Sequence, residues 1–496
     1  MDTDLKGMAE IVAGHIPKRI MIIPIGNWKH VETDLYLEVY NGLLDGLTPD
    51  GKQQKYFGHQ PGSAGFRSLK SRIKTCLLNM LYLVDFSRSP MSEALKAELE
   101  CLRLGFLQRL LTAFYLRNEG MEINKKIYRI AEQFKLAAPL LLCLATLRKE
   151  ASETGNIAEL ENLIDESSKW QEYQAAESRA KGYYELIEVQ FALSISQKPW
   201  LAEKAFASAK LVKKDLERYD SPVLEYEKYR ILYAGHHCAK DYKKAIADME
   251  ALEDYYAKHP QFAGSTRYAE IALRKLNCYM HLKDYAAGLA CAQACLASFW
   301  IGSSNRIFFM EVYFMFAMQA AEYDESIKII NNAKSESGFH KLDETHKKKW
   351  QLYKIYYDYV TDTLSGEKSF NLKKFLGDYG NLADDKSGYN AAVYIMGWCL
   401  QLRYGEPAEL TGKAEAFKKY RARYLKEIED HRINIFLSLM QAADRLDYNY
   451  KNVLEQTTDL IKELQSTPLA ESIGNFEGVE IIPLETLWNM AMEDMK

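Results

Sequence analysis

The sequence has few of the residues that end helices or form tight turns, with only 12 prolines and 27 glycines among 496 residues. A many-stranded β protein needs a turn after each short strand, so this scarcity argues against one. The chain also lacks an excess of charge of either sign, because 64 basic residues are matched by 68 acidic ones. A charged partner therefore has to be recognised locally rather than by the whole molecule.

Long apolar runs are missing as well. The most apolar stretch, Ile307 to Ala321, contains Glu311 and Gln319 and is shorter than the roughly 20 residues that cross a bilayer. It predicts a buried central helix. The N-terminus begins with acids and has no basic segment before an apolar run, so we expect a cytoplasmic protein without a secretory signal and without membrane association.

Motifs of the common catalytic and nucleotide-binding sites are absent. The chain contains no G-x-x-x-x-G-K-[ST], no H-E-x-x-H and no G-x-S-x-G. We therefore expect no enzyme activity and no cofactor.

Helical periodicity dominates what is present. From Phe66 onward, apolar residues recur at steps of three and four, as on one face of a helix. Four helices are predicted with a break at Asn118–Gly120: Phe66 to Phe86, Ser92 to Arg117, Met121 to Phe134 and Pro139 to Glu153. A further helix, Ile157 to Ser194, begins with many acids, which indicates a solvated face.

The N-terminal 65 residues have a different character. Ile20 to Ile25 reads IMIIPI, a short β-rich run, and the region predicts a small mixed cap. Val479 to Leu484 (VEIIPL) echoes this run, and the two are candidates for pairing within or between chains.

Internal similarity is the most informative feature. Three segments share an acid-Tyr pair, a small residue three positions later and then Ile or Leu: Cys238–Leu252, His281–Cys295 and Gln319–Ala333. The anchors Tyr242, Tyr285 and Tyr323 are separated by 43 and 38 residues. An amphipathic helix precedes each copy, and a partial copy follows at Arg445–Leu460, so a helix pair repeats about every 40 residues.

The shared residues suggest how each pair packs. The small residue, which is Ala245, Gly288 or Ser326, is expected to let the second helix approach the first closely. The anchor tyrosine is expected to fill the seam at the turn.

This pattern resembles tetratricopeptide repeats over residues 223–333, and more weakly over 343–464. The period exceeds the 34 residues of that family and its Trp-x-x-Leu-Gly signature is absent, so no binding residue is transferred. The resemblance implies an all-α fold, an α-solenoid of helix hairpins behind the mixed cap. Four regions are expected: the cap at 1–65, an N-terminal helical region at 66–220, the repeats at 221–340 and degenerate repeats at 341–496.

The sharpest local signal is electrostatic. From Gly51 to Val84 the chain carries no acid and six basic residues, which are Lys52, Lys55, Arg67, Lys70, Arg72 and Lys74. In the predicted helix, Arg67, Lys70 and Lys74 share one face, and Leu69, Ile73 and Leu77 line the other. Three interpretations stay open: a solvated helix, a contact with an acidic protein, or nucleic-acid binding as the second helix of a DNA-reading pair.

The same segment carries a second resemblance. Leu69 to Lys74 reads LKSRIK and precedes a leucine-rich helix, which is similar to the LKSRLK segments of uncharacterised bacterial helical-repeat proteins. That resemblance supports the fold and implies no activity.

One cysteine group has a spacing that suits a metal. Cys278, His281, Cys291 and Cys295 form C-x2-H-x9-C-x3-C, and all four are residue types that zinc accepts. Because Cys291 and Cys295 lie one helical turn apart among alanines, core packing is the favoured interpretation, and no metal is expected. The eight cysteines together are expected to be reduced thiols in the core.

An aromatic stripe also has two interpretations. Trp350, Tyr353 and Tyr357 fall on one side of a predicted helix. Core packing is favoured, and a peptide-binding surface is the alternative.

These observations predict a non-enzymatic helical-repeat scaffold that binds a protein, a peptide or a second copy of itself. The alternative is a regulator that binds nucleic acid through Lys52 to Lys74, with the repeats as a sensor or oligomerisation module.

Overall fold

The computed structural model describes residues 64–89, 91–193, 198–299, 301–340, 342–363, 389–405, 431–467 and 480–496, with three short stretches at 7–9, 11–13 and 40–41. The chain divides into two compact units, Met1–Glu172 and Tyr173–Lys496. Within the described residues every regular element is a helix and there is no strand, which confirms the predicted all-α class. None of the described helices is both long enough and apolar enough to cross a membrane.

In the first unit, four helices follow a regular order along the chain. They are α1 (Ala64–Leu81), α2 (Glu93–Ala113), α3 (Arg117–Gln133) and α4 (Ala137–Thr154). A 3-10 turn, Phe86–Arg88, lies between α1 and α2. Helix α2 packs on α3 and α3 on α4, so neighbours in sequence are neighbours in space. Helix α5 (Ile157–Leu193) begins in this unit and continues into the second.

The second unit consists of consecutive helices that pack in chain order. After α5 come α6 (Lys198–Leu216), α7 (Pro222–Cys238), α8 (Tyr242–Lys258), α9 (Ser265–Leu282), α10 (Tyr285–Leu296), α11 (Ser304–Gln319) and α12 (Tyr323–Ser335). The remainder are α13 (Ser337–His340), α14 (Glu344–Val360), α15 (Tyr389–Tyr404), α16 (His431–Arg445), α17 (Tyr450–Ser466) and α18 (Leu484–Asp494). The division between the units falls inside the predicted 66–220 region.

The predicted repeat coincides with a repeated turn. Each anchor tyrosine, Tyr242, Tyr285 or Tyr323, is the first residue of the second helix of its pair. In each pair the backbone N–H of the preceding acid donates to a carbonyl five residues earlier, at 2.9–3.0 Å. In the first two pairs, the side chain of this acid also accepts from a backbone N–H of the new helix. One short turn therefore satisfies both helix ends.

A left-handed residue makes this turn tight. Lys240, Lys283 and Ala321 each lie one position before the acid and have φ of 60°, 55° and 58°. Tyr115 and Lys135 occupy the same position in the first unit, at φ 62° and 56°. A left-handed residue after a helix is a common C-terminal cap, so the two units share a way of reversing the chain.

The predicted break at Asn118–Gly120 is wrong. Those residues lie in the first turn of α3, and the chain reverses instead at Phe114–Leu116, through the left-handed Tyr115. A Cβ on Gly120 would lie 3.3 Å from Oγ1 of Thr112. The glycine therefore permits the close crossing of α2 and α3 rather than a turn.

The core of the second unit centres on α11. Ile307 and every residue from Phe309 to Gln319 are buried, which confirms the predicted buried central helix. The two polar residues within it have partners: Glu311 accepts from Lys349 at 2.7 Å, and the Gln319 amide donates to the carbonyl of Glu480 at 2.5 Å.

The C-terminal apolar run does not form a strand in its described part. Residues 480–483 form an irregular segment that leads into α18, and Ile481 and Ile482 are buried among the helices. The proposed partner run, Ile20 to Ile25, lies outside the described residues.

Candidate functional site

The basic segment is described only in part. Lys52 and Lys55 lie outside the described residues, and Arg67 and Lys70 belong to α1, of which the side chains are described from Ser71 onward. Arg72 and Lys74 are exposed, whereas Ile73 and Leu77 are buried. Charge and core are therefore separated on this part of α1 as the periodicity predicted.

The cysteine and histidine set is not assembled into a metal site. His281 stacks on Tyr242, with ring centroids 4.6 Å apart and planes within 7°. Burial raises the pKa of Cys278 and Cys295 to about 12. Among the described residues, no group of three or more His, Cys, Asp or Glu is placed to hold a metal ion. All eight cysteines lack disulfides, and all except Cys291 are buried, as expected of core thiols.

The aromatic stripe on α14 belongs mainly to the core. Trp350 and Tyr353 are fully buried and pack on Phe314 of α11, whereas Tyr357 is half-buried. The packing interpretation is therefore confirmed at two of the three positions.

The small residue of the repeat is buried in all three pairs, and its neighbour is known for Gly288. The three residues are Ala245, Gly288 and Ser326. A Cβ on Gly288 would lie 2.1 Å from the ring of Phe316, which belongs to the first helix of the next pair. The anchor Tyr285 contacts the same ring edge-on, at 6.0 Å between centroids. At Gly288 the small residue therefore allows the next pair to approach closely, a contact that the prediction did not include.

A ladder of arginine and tyrosine side chains joins three helices of the second unit. Arg267 of α9 lies over the ring of Tyr226 of α7, with Cζ 3.6 Å from the centroid. Arg230 of α7 lies 4.8 Å from the same centroid and 3.5 Å from that of Tyr184 on α5. Cations and rings thus alternate, and we call Arg267, Tyr226, Arg230 and Tyr184 the arginine–tyrosine ladder. Each such contact is attractive because the ring face is electron-rich.

Two carboxylates accompany the ladder. Glu270 pairs with both cations of the ladder, since Arg267 Nη1 and Arg230 Nε each lie 3.3 Å from its oxygens, and Tyr226 donates its hydroxyl to it. Arg274, the next arginine on α9, places Nη1 2.5 Å from the same carboxylate. Glu227 accepts from Arg230 at 3.1 Å. Burial alone raises the pKa of Glu270, but the positive charges of Arg274 and Arg230 outweigh it and lower the pKa to about 2. Glu270 is therefore ionised at neutral pH.

Arg274 contacts the buried side of the ladder. It is buried, and its Nη2 donates to the Tyr184 hydroxyl at 2.9 Å across 90 residues of sequence. Burial by itself lowers the pKa of Arg274, whereas the neighbouring Glu270 raises it above its ordinary value. Burial also raises the pKa of Glu227. Three guanidinium groups therefore share two carboxylates. Burial makes one of the two, that of Glu227, less easily ionised.

One end of the ladder is open to solvent. The Arg267 side chain is 41% exposed, compared with 17% for Arg230 and 5% for Arg274. Arg267 has five N–H groups, and among the described residues Glu270 is its only acceptor. The open edge can therefore bind a carboxylate in the plane of the guanidinium group while Tyr226 supports its face.

Sequence reasoning missed this site, although a local signal exists. Tyr226 and Arg230 are four residues apart on α7, and Arg267, Glu270 and Arg274 follow at steps of three and four on α9. Such spacings place each set on one side of its helix. The spacing does not reveal that the two sides meet, because that depends on how α7 and α9 pack.

No protein-family model, no curated protein and no solved structure matches this chain.

Proposed function

We propose that this protein is a non-enzymatic scaffold, a solenoid of tetratricopeptide-like helix pairs that binds a protein partner. The observation that carries the proposal is the arginine–tyrosine ladder with its open end at Arg267. A buried ionic cluster is costly to assemble and is weak support for stability, so a role in recognition is a reasonable use for it.

The chemistry of the open end indicates the partner. A guanidinium group held flat on a tyrosine ring and only partly neutralised by Glu270 favours acidic side chains or a C-terminal carboxylate. We therefore propose that the scaffold binds an acidic segment of a protein.

The test compares wild type with Arg267→Glu and with the control Lys328→Glu, whose side chain is 65% exposed on α12. Affinity capture from the host, with and without nuclease, is followed by identification of the bound proteins. We expect a discrete protein that survives nuclease, is retained by the control and is lost with Arg267→Glu. If all three proteins recover the partner equally, the ladder is not part of the binding site.

The exposure of Arg72 and Lys74 on α1 favours a second candidate, nucleic-acid binding. That function requires affinity that falls steeply with salt and is lost in the double variant Lys70→Glu, Lys74→Glu. No binding to duplex DNA or RNA at low salt would exclude it.

A further inference from the structure

Helix α2 is apolar on two opposite sides. Its first side, formed by Ala97, Cys101, Leu104 and Gln108, is buried against the neighbouring helices. Its second side repeats apolar residues at steps of four, three and four: Leu95, Leu99, Leu102 and Phe106. At about 100° per residue these four fall within about 60° of one another. Leu99 is half-buried and the other three are exposed. We call this row the outer seam of α2.

The outer seam is a large apolar patch for the surface of a monomer. Leu95, Leu102 and Phe106 are 41%, 56% and 54% exposed, and Tyr82 packs beside Phe106 at 5.8 Å between ring centroids while remaining 59% exposed. With about 200 Å² for each of these side chains when fully exposed, the patch presents on the order of 400 Å² of apolar surface. A patch of roughly 300–600 Å² is the largest that a typical monomer carries, and such a patch is often functional.

The spacing of the seam fits another helix. A repeat of four and three residues is the pattern by which one helix packs along a second in a coiled coil. Continuing that repeat beyond Phe106 brings Arg109 and Ala113 onto the seam. Helix α2 has 21 residues, which gives it a length of about 30 Å, enough for three such repeats.

Two charges on this side determine the direction of the partner helix. Glu98 and Arg109 are both exposed, and neither has an ion-pair partner among the described residues. They are 11 residues apart, close to three full turns, so they lie on the same side of α2 near opposite ends of the seam. A parallel copy would place Arg109 against Arg109. An antiparallel copy instead brings each Glu98 next to Arg109 of the other chain.

The apolar residues fit the same antiparallel arrangement and indicate how the two helices are aligned along their length. When a two-fold axis crosses α2 at Leu104, Leu102 faces Phe106 of the other chain, and Leu95 faces Ala113. In that register Arg109 falls within one residue of Glu98 across the interface. Gly105 is near the axis, and a Cβ placed there would meet no atom within 4 Å, so nothing within the chain obstructs the approach. Packing and charge therefore agree on one arrangement.

We infer that two copies of this chain associate through the outer seam, with their α2 helices antiparallel and Glu98 of each paired with Arg109 of the other. Such a contact is self-complementary, as a two-fold interface must be. The inference does not depend on the arginine–tyrosine ladder or on its proposed partner.

The first test measures the mass of the full-length protein in solution by sedimentation velocity over a range of concentrations. We expect a concentration-dependent dimer for wild type and a monomer for Leu102→Glu, which places a charge in the seam. The matched control is Leu211→Glu on α6, where the leucine is 51% exposed, and it should dimerise as wild type does. Circular dichroism checks that each variant folds. A monomeric wild type, or a Leu102→Glu protein that dimerises unchanged, would overturn the inference.

A charge exchange tests the antiparallel direction. Glu98→Arg alone and Arg109→Glu alone each turn two attractive pairs into repulsive ones, and each should weaken dimerisation roughly tenfold. The double variant Glu98→Arg, Arg109→Glu restores both pairs and should return the dimerisation constant to within about threefold of wild type. If the double variant is as weak as the single ones added together, the two residues do not meet and the proposed register is wrong.

Discussion

Helices α9 and α11 are the first helices of successive pairs, yet they are packed by different kinds of contact. Helix α11 is buried over almost its whole length and is largely apolar, with a single buried acid, Glu311, paired to Lys349. Helix α9 buries Arg274 and Lys275, which are paired to Glu270 and Glu253. The same helix-pair architecture therefore accommodates an apolar interface at one position and an ionic one at another.

The difference has a consequence for specificity. Apolar packing depends on volume and tolerates many sequences of similar size. An ionic cluster depends on every partner being present, because a buried charge without its counterpart is strongly destabilising. We therefore expect α11 to respond to changes of volume and α9 to changes of charge.

The largest effect is expected in the apolar interface. Phe316→Ala removes a fully buried ring that contacts Tyr285 and Gly288, and should lower the free energy of unfolding by about 3–5 kcal/mol. Urea unfolding followed by circular dichroism measures this. Phe308→Ala is the matched control on the same helix, since Phe308 is 39% exposed, and it should cost clearly less. Equal losses would mean that α11 is not the centre of the core.

Removing a charge from α9 is the next largest effect. Glu270→Gln keeps the shape of the side chain but leaves Arg274 buried without its carboxylate. The expected loss is about 3 kcal/mol, at the lower end for a broken buried pair because Glu270 is partly exposed. The control Glu122→Gln breaks an ion pair between Glu122 and Lys125 whose side chains are both more than half exposed, and it should cost clearly less. The comparison between the two helices fails if both variants unfold at the same urea concentration.

A smaller loss of unfolding free energy is expected when a side chain is added where there is no room for it. Gly288→Ala drives a methyl group into the ring of Phe316, which should cost about 1–3 kcal/mol. Phe316→Leu in the same chain gives the methyl group room, so the double variant should lose less than the sum of the single variants. If the loss of unfolding free energy in the double variant equals the sum of the losses in the single variants, Gly288 and Phe316 do not interact.

The smallest expected effect is a difference between variants of the two helices in how their stability depends on pH. The pKa of Glu270 is lowered to about 2 in the folded protein, below its ordinary value near 4.5. A lowered folded pKa contributes stability that is complete above about pH 4.5 and is lost as the pH falls toward 2. The difference in stability between wild type and Glu270→Gln should therefore shrink between pH 5 and 3. The difference for Phe316→Ala should stay constant in the same range, and a parallel decline would contradict this assignment.

The sequence by itself determined the local organisation. Periodicity located α2, α4 and α11 to within a few residues, and the acid-Tyr pairs marked where second helices begin, because helix formation and capping depend on residues within about one turn. The buried character of α11 was evident for the same reason. The break at Asn118–Gly120 was misplaced because glycine serves close packing as well as turns, and only the neighbouring helix shows which use applies.

Only the tertiary structure decided which sides of the helices meet. Arg274 and Tyr184 are 90 residues apart and form a hydrogen bond, and Gly288 packs on Phe316 of the following pair. His281 stacks on Tyr242, a contact that its spacing to the cysteines does not indicate. The outer seam of α2 repeats at the same steps as the side that is buried, so the spacing by itself does not show which side is covered. The physical reason is that periodicity shows which residues share a side of a helix, whereas the choice of neighbour depends on how all the helices pack together.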